Sequence, residues 1–166
     1  MRELLLIYHS STGGTAHMVQ AFLQGAQAHS SAHLLHVRAL PAAQASAADV
    51  LQAHAYAFAC PEHLAHVSGV MKDFFDRTYY ALLDHIQGRH YACMVCAGSD
   101  GHNAARAIAR IAAGWRLQAV APATIVCTQA QTPQAIAAAK HLSCAQLQPC
   151  YELGAAMASG LEMGIF

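Results

Sequence analysis

The residues best placed to do chemistry stand near the start of the chain: Ser10, Ser11, Thr12, Gly13, Gly14 and Thr15, with His9 just before them. They follow an apolar run, Leu4 to Tyr8, and precede a helical run that begins near Ala16. A strand, a tight hydroxyl-and-glycine loop and a helix N-terminus make a cradle for an anion. Loop N–H groups turn inward there, and the helix dipole favours negative charge. The loop holds no Lys or Arg, so the expected ligand is one phosphate monoester gripped by neutral donors. A Walker A loop would need Gly-Lys-Ser/Thr for a triphosphate and its metal. A dinucleotide fingerprint would need Gly-x-Gly-x-x-Gly. The plainest alternative is an ordinary βα turn with a Ser/Thr cap.

Other reactive side chains carry less. Twelve histidines invite a metal reading, and His63 and His66 are spaced as His-x-x-His. Only Glu62 stands near them as a further ligand type, so no metal site is expected. Cys93 and Cys96 match a CxxC pattern inside an apolar run. On a strand they point to opposite faces, which argues against a redox pair or a metal knuckle. No Ser-His-Asp arrangement is legible, and no catalytic residue is assigned.

The elements that must position the loop follow from periodicity. Strand-like runs cover 3–9, 33–37, 55–60, 90–97 and 122–128; helical runs cover 15–28, 43–53, 69–83 and 103–113. Thr132-Pro133 opens a further helix, and another spans 150–161 beyond an interruption at Pro149. Leu40-Pro41 is read as a break, Pro61 as a strand stop, 62–67 as a loop and Ser68 as a helix cap. Strands of near-continuous apolar character alternating with helices indicate a parallel sheet covered on both faces. Ligands of such folds sit beyond the carboxyl ends of the strands, here Ser10, Pro61, Gly98 and Thr128.

Composition narrows the function. The 166 residues suit one domain, 1–166. Formal charge is zero, which speaks against nucleic acid or an anionic membrane surface as partner. Charged residues are 11% against about 25% in typical domains, a surface compatible with self-association as a homodimer or homotetramer. The six cysteines lack a disulfide spacing, so a cytoplasmic location is expected. The leading apolar run is too short for a signal peptide, and no stretch is long enough to span a bilayer.

The loop Ser10–Thr15 resembles the phosphate loop, Ser-x-Thr-Gly-x-Thr, of the flavodoxin-like FMN-binding family. Cys60-Pro61-Glu62-His63-Leu64 through Gly69 is similar to that family's second flavin loop. Met71-Lys72-Asp73-Phe74-Phe75-Asp76 resembles the Met-Lys-x-Phe-x-Asp segment of its NAD(P)H-dependent quinone and FMN oxidoreductase branch. Gly98-Ser99-Asp100-Gly101-His102-Asn103 stands where the third flavin loop belongs. The resemblance implies an α/β flavodoxin-like three-layer sandwich with a five-stranded parallel sheet of order 2-1-3-4-5. It implies FMN as cofactor, NAD(P)H as transient co-substrate and a small, quinone-like electron acceptor. The phosphate would rest on Ser10, Thr12, Gly13, Gly14 and Thr15, with His9 and Ser11 beside it. The ring would lie between Pro61, Glu62, His63 and Leu64 on one side and Gly98, Ser99, Asp100 and Gly101 on the other. His63 and His102 are candidates to stabilise charge on a reduced ring.

Neither ring loop offers Trp, Tyr or Phe, and Leu64 stands where an aromatic side chain is favoured. An uncovered ring face suits hydride entry and exit to a flat acceptor. Two alternatives remain: an electron shuttle that docks a protein partner, and a flavodoxin-fold module without a catalytic flavin.

Overall fold

The structure, a computed structural model, describes residues 1–31 and 33–166. Its centre is a parallel sheet. Strand β1 (Arg2–Tyr8) is flanked by β2 (Leu35–Pro41) and β3 (Ala55–His63), and β3 by β5 (His90–Ala97). The far side of β5 carries two short pieces, β6 (Gln118–Ala119) and β7 (Thr124–Cys127). Counted as one fifth strand, these give the flavodoxin-like order 2-1-3-4-5.

Consecutive residues of β1 serve opposite faces, as strand geometry requires. Leu5 and Ile7 join the core beneath α2 (Ala47–Gln52), α3 (Gly69–Leu82) and α4 (His102–Gly114). Leu4 and Leu6 join the core beneath α1 (Gly14–Ala28) and α6 (Cys144–Glu162). All four are fully buried, which explains why the run reads as unbroken apolar sequence. Cys93 lies in the first core and Cys96 in the second. Met71, Phe74 and Phe75 bury the inner face of α3, while Lys72–Asp76 and Asp73–Arg77 pair on its outer face. Helices α1 and α6 approach backbone to backbone. A Cβ on Gly25 would collide with the Tyr151 carbonyl, and one on Gly154 with the Phe22 carbonyl.

Several local expectations change. Strand β2 runs past the expected 33–37 and ends on Pro41, whereas Pro61 does not stop β3, which runs through it to His63. Residues 62–67 are not a loop but a hairpin, in which β3 turns into β4 (His66–Val67) with His63 opposite His66. Ser68 makes no side-chain cap; it is fully buried and bonds His9 instead. The helix at Pro133 is short, α5 (Pro133–Ala137), capped by Thr132. The last helix starts earlier than expected, on a Ser143–Gln146 capping box, and runs through Pro149. That proline lies in the second turn of a 19-residue helix, whose packing on α1 outweighs one lost backbone bond.

Candidate functional site

Strand β1 delivers the first loop at the crevice where the chain order reverses, between its neighbours β2 and β3. Gly13 turns the chain into α1 with φ +92°, and α1 has no side-chain cap at that residue. Ser10 takes over part of the capping: its Oγ accepts from the Ala16 N–H at 3.1 Å. The N–H groups of Gly13, Gly14 and Thr15 find no acceptor among the described residues. Thr15 is 2% exposed, and its Oγ1 has no hydrogen-bond partner among them either. Buried polar groups are almost always satisfied. Three open amides and one orphaned hydroxyl at a helix N-terminus are the donor set that an anion would take.

The cradle opens into a cavity of about 590 Å³, within the range of small-molecule and cofactor sites. One wall is the β3–β4 hairpin. Its two turn residues, Leu64 and Ala65, both take positive φ, +50° and +58°, as a two-residue I′ turn demands and as Asn-Gly would take more cheaply. Leu64 is fully exposed at the tip. The opposite wall is the loop after β5. Glu62 ties the walls together: its Oε2 accepts from the Gly101 N–H at 3.1 Å, while its Oε1 is buried without a partner among the described residues. Gly101 has φ +81°, and a Cβ there would lie 2.6 Å from the Ile125 side chain, so the latch needs glycine. Asn103 Nδ2 adds a second tie, donating to the Ala65 carbonyl at 2.6 Å.

A strap, residues 128–143, forms the third wall; the sequence pattern pointed only to its first residue, Thr128, as a strand end. Thr128 anchors it on Ala97, and the Lys140 N–H donates to the Thr12 carbonyl at 2.8 Å. Lys140 thus lines the cavity beside a loop that itself carries no cation. Its ammonium is already engaged by the carbonyls of Ala135, Ile136 and Ala138 at the end of α5. Ile136 and Ala137 face the cavity although α5 buries no residue.

Of the expected residues, Ser11, Thr12, Gly14, Thr15, Pro61, Glu62, His63, Leu64, Gly98 and Ser99 line this one cavity. His9, Ser10, Gly13, Asp100, Gly101 and His102 stand outside its lining. Ser10, Gly13 and Gly101 shape it from behind, whereas Asp100 and His102 face solvent. His9 packs edge-on to His63, with centroids 5.9 Å apart, and its Nδ1 lies 2.9 Å from Ser68 Oγ. Burial, and then the nearby His63 charge, hold the His9 pKa below its ordinary value. Cys96 also lines the cavity; burial pushes its thiol up to about 11, against the pull of Lys140. Such a thiol is unreactive at neutral pH. Among the described residues no three His, Cys, Asp or Glu side chains gather to hold a metal, and no helix is long and apolar enough to cross a membrane.

The sequence matches the family model described as NADPH-dependent FMN reductase over residues 4–132. The chain belongs to the NADPH-dependent FMN reductase family. All three loops that wall the cavity from β1, β3 and β5 fall inside the matched family segment; the strap from residue 133 onward falls outside it. No protein of curated function matches the chain in sequence. Among solved structures, a flavodoxin from the Archaea shares 19% identity at TM-score 0.76, covering 96% of this chain and 99% of that one. A flavodoxin, WrbA-like protein from Agrobacterium tumefaciens shares 17% at TM-score 0.72, covering 98% and 99%. Rubredoxin oxygen:oxidoreductase from Desulfovibrio gigas shares 11% at TM-score 0.76, covering 99% of this chain and 37% of its own. These likenesses establish the flavodoxin-like fold.

The residues present fit the cofactor that the reductase family's name contains. The orphaned Thr15 hydroxyl and the open amides suit a terminal phosphate, and the cavity beyond them is large enough and apolar enough for a flat ring. Sequence reasoning put Thr128 at a ligand-facing strand end without assigning it to the site, and missed Cys96, Ala97, Ala130, Ile136, Ala137 and Lys140 as lining residues. Cys96 and Ala97 end β5 at the third loop and were within reach of the strand-end rule; the other four carry no signal short of the tertiary structure.

Proposed function

We propose that the chain binds FMN in this cavity and passes reducing equivalents from NADPH to a small, quinone-like acceptor. The observation that carries the reading is the buried Thr15 hydroxyl, partnerless among the described residues, beside three open amides, facing a cavity walled by the two later loops. The Thr15 hydroxyl and the Gly13, Gly14 and Thr15 N–H groups would donate to the phosphate, with Ser11 and Thr12 hydroxyls at its rim. Pro61, Glu62, His63 and Leu64 would hold one side of the ring, and Gly98 and Ser99 the other. FMN would supply the hydride chemistry. The chain's own part is to orient the ring, keep water from its buried edge, and present the His63 imidazole as a hydrogen-bonding group near the cavity mouth. Leu64, fully exposed, leaves room for a flat acceptor to slide over the ring.

Purified protein loaded with FMN tests this directly. Stoichiometric flavin and NADPH oxidation with quinones above a free-flavin control are expected. Protein that retains no flavin, or turnover no greater than that control, overturns the reading.

A further inference from the structure

Residues 131–139 of the strap are all exposed, apolar Ile136 among them, whereas the charged Lys140 is half-buried. That inverts the usual order, since lysine is among the residues least often covered. Two contacts cover it. Its main-chain N–H donates to the Thr12 carbonyl at 2.8 Å. Its stem lies over Gly14, where an added Cβ would sit 3.3 Å from Lys140 Cβ and 3.5 Å from Cγ. Both contacts are with the loop whose Gly14 and Thr15 amides and Thr15 hydroxyl meet no partner among the described residues. Of the residues lining the cavity, Lys140 is the one Lys or Arg.

The ammonium is fixed in place but not neutralised. Lys140 Nζ donates to the carbonyls of Ala135, Ile136 and Ala138 at 2.8, 2.9 and 2.6 Å, and these are dipoles rather than charges. Among the described residues it pairs with no carboxylate. Glu62, the one carboxylate lining the cavity, stands on the hairpin and accepts from Gly101. The charge is felt at the cavity wall: burial raises the Cys96 thiol pKa, and Lys140 pulls it back. A whole positive charge is therefore left to act on an anion beside it. In a half-enclosed site the effective dielectric is well below that of water, so the charge acts without a direct hydrogen bond. Because three bonds already hold the ammonium, an arriving anion does not have to order it.

We propose that Lys140 supplies the counter-charge for a phosphate monoester held by the first loop, and so selects FMN over riboflavin, its unphosphorylated form. The proposal takes the identity of the ester from the FMN reading above, and one arm of the test needs no flavin. Lys140→Met keeps the stem over Gly14 and removes the charge; α5 buries no residue, so the core is untouched. Calorimetric titration of ligand-free protein with FMN and with riboflavin reads the selection. The methionine variant should bind FMN about tenfold more weakly and riboflavin within about twofold of wild type. Lys140→Arg keeps the charge and should recover most of the loss. Salt should weaken FMN binding more steeply in wild type than in Lys140→Met. Thermal unfolding in inorganic phosphate, against chloride of equal ionic strength, reads the charge alone: phosphate should raise Tm in wild type and raise it less in the variant. FMN affinity unchanged in Lys140→Met, or FMN and riboflavin weakened alike, overturns the proposal and leaves the FMN reading standing, with Lys140 a brace for the strap. Wild-type protein that binds no FMN sinks the FMN reading instead, and the phosphate arm then decides the lysine: an equal response in wild type and variant overturns the proposal.

Discussion

Replacing Thr15 by Val separates the two jobs of one buried atom. The substitution keeps shape and removes only the hydroxyl, which has no partner among the described residues. In the ligand-free protein an unsatisfied buried hydroxyl costs about 1–3 kcal/mol, so Thr15→Val should stabilise it by roughly 1 kcal/mol. In a domain of this size that raises Tm by about 2–4 °C. With FMN present the sign reverses. A hydrogen bond to a charged phosphate contributes about 1.5–3 kcal/mol, so the Kd for FMN should rise by roughly 10- to 150-fold. Differential scanning calorimetry of ligand-free protein and fluorescence titration with FMN measure the two effects on the same samples. A variant that is less stable without ligand and binds FMN as tightly as wild type would refute the assignment of this hydroxyl to the phosphate.

Further predictions concern the walls and the pH response. Gly101→Ala places a methyl group 2.6 Å from Ile125 in a left-handed backbone; a loss of about 2 kcal/mol or more is expected in urea unfolding, together with weaker FMN binding as the Glu62 latch opens. Glu62→Gln keeps an oxygen to accept from Gly101 but removes a fixed negative charge from the cavity wall; the midpoint potential of bound FMN should rise by about 30 mV, equivalent to about 1.4 kcal/mol for two electrons, read by dye-coupled titration. His9, with its pKa depressed by burial and then by His63, takes its proton later than the unfolded chain does. The stability it contributes is therefore present above about pH 6.5 and lost as pH falls through the depressed folded value. The urea midpoint should drop between about pH 7.5 and pH 5, and drop less in His9→Gln.

The sequence made the cradle legible because its signals are local. Gly13-Gly14 after an apolar strand, with hydroxyls on both sides, also suits an ordinary capped βα turn, and its weight came from the loops downstream, placed at the carboxyl ends by strand counting. The hairpin at Leu64-Ala65 was hidden because neither residue favours positive φ; tertiary ties from Asn103 and Glu62 hold a turn that local propensity opposes. Pro61 misled for a related reason: it stands opposite Cys96 at the end of the β3–β5 ladder, and the strand goes on past it into a short antiparallel pairing that begins at Glu62. Ser68 resembled a cap because it precedes a helix, but its burial against His9 is a long-range fact. Lys140 lies 128 residues beyond Thr12 in the chain, and only the path of the strap brings them within 2.8 Å.

The crossing of Gly25 and Gly154 reaches further than its place in the core suggests. Helix α1 is a single rod, so that crossing and the Gly13 turn are two ends of one lever, about 18 Å apart. Any side chain added at the fulcrum pushes on a main-chain carbonyl, and the displacement travels to the amides proposed to face the phosphate. On that proposal, drift at a spot no ligand touches would register first as a looser grip on phosphate, well before the sheet itself came apart.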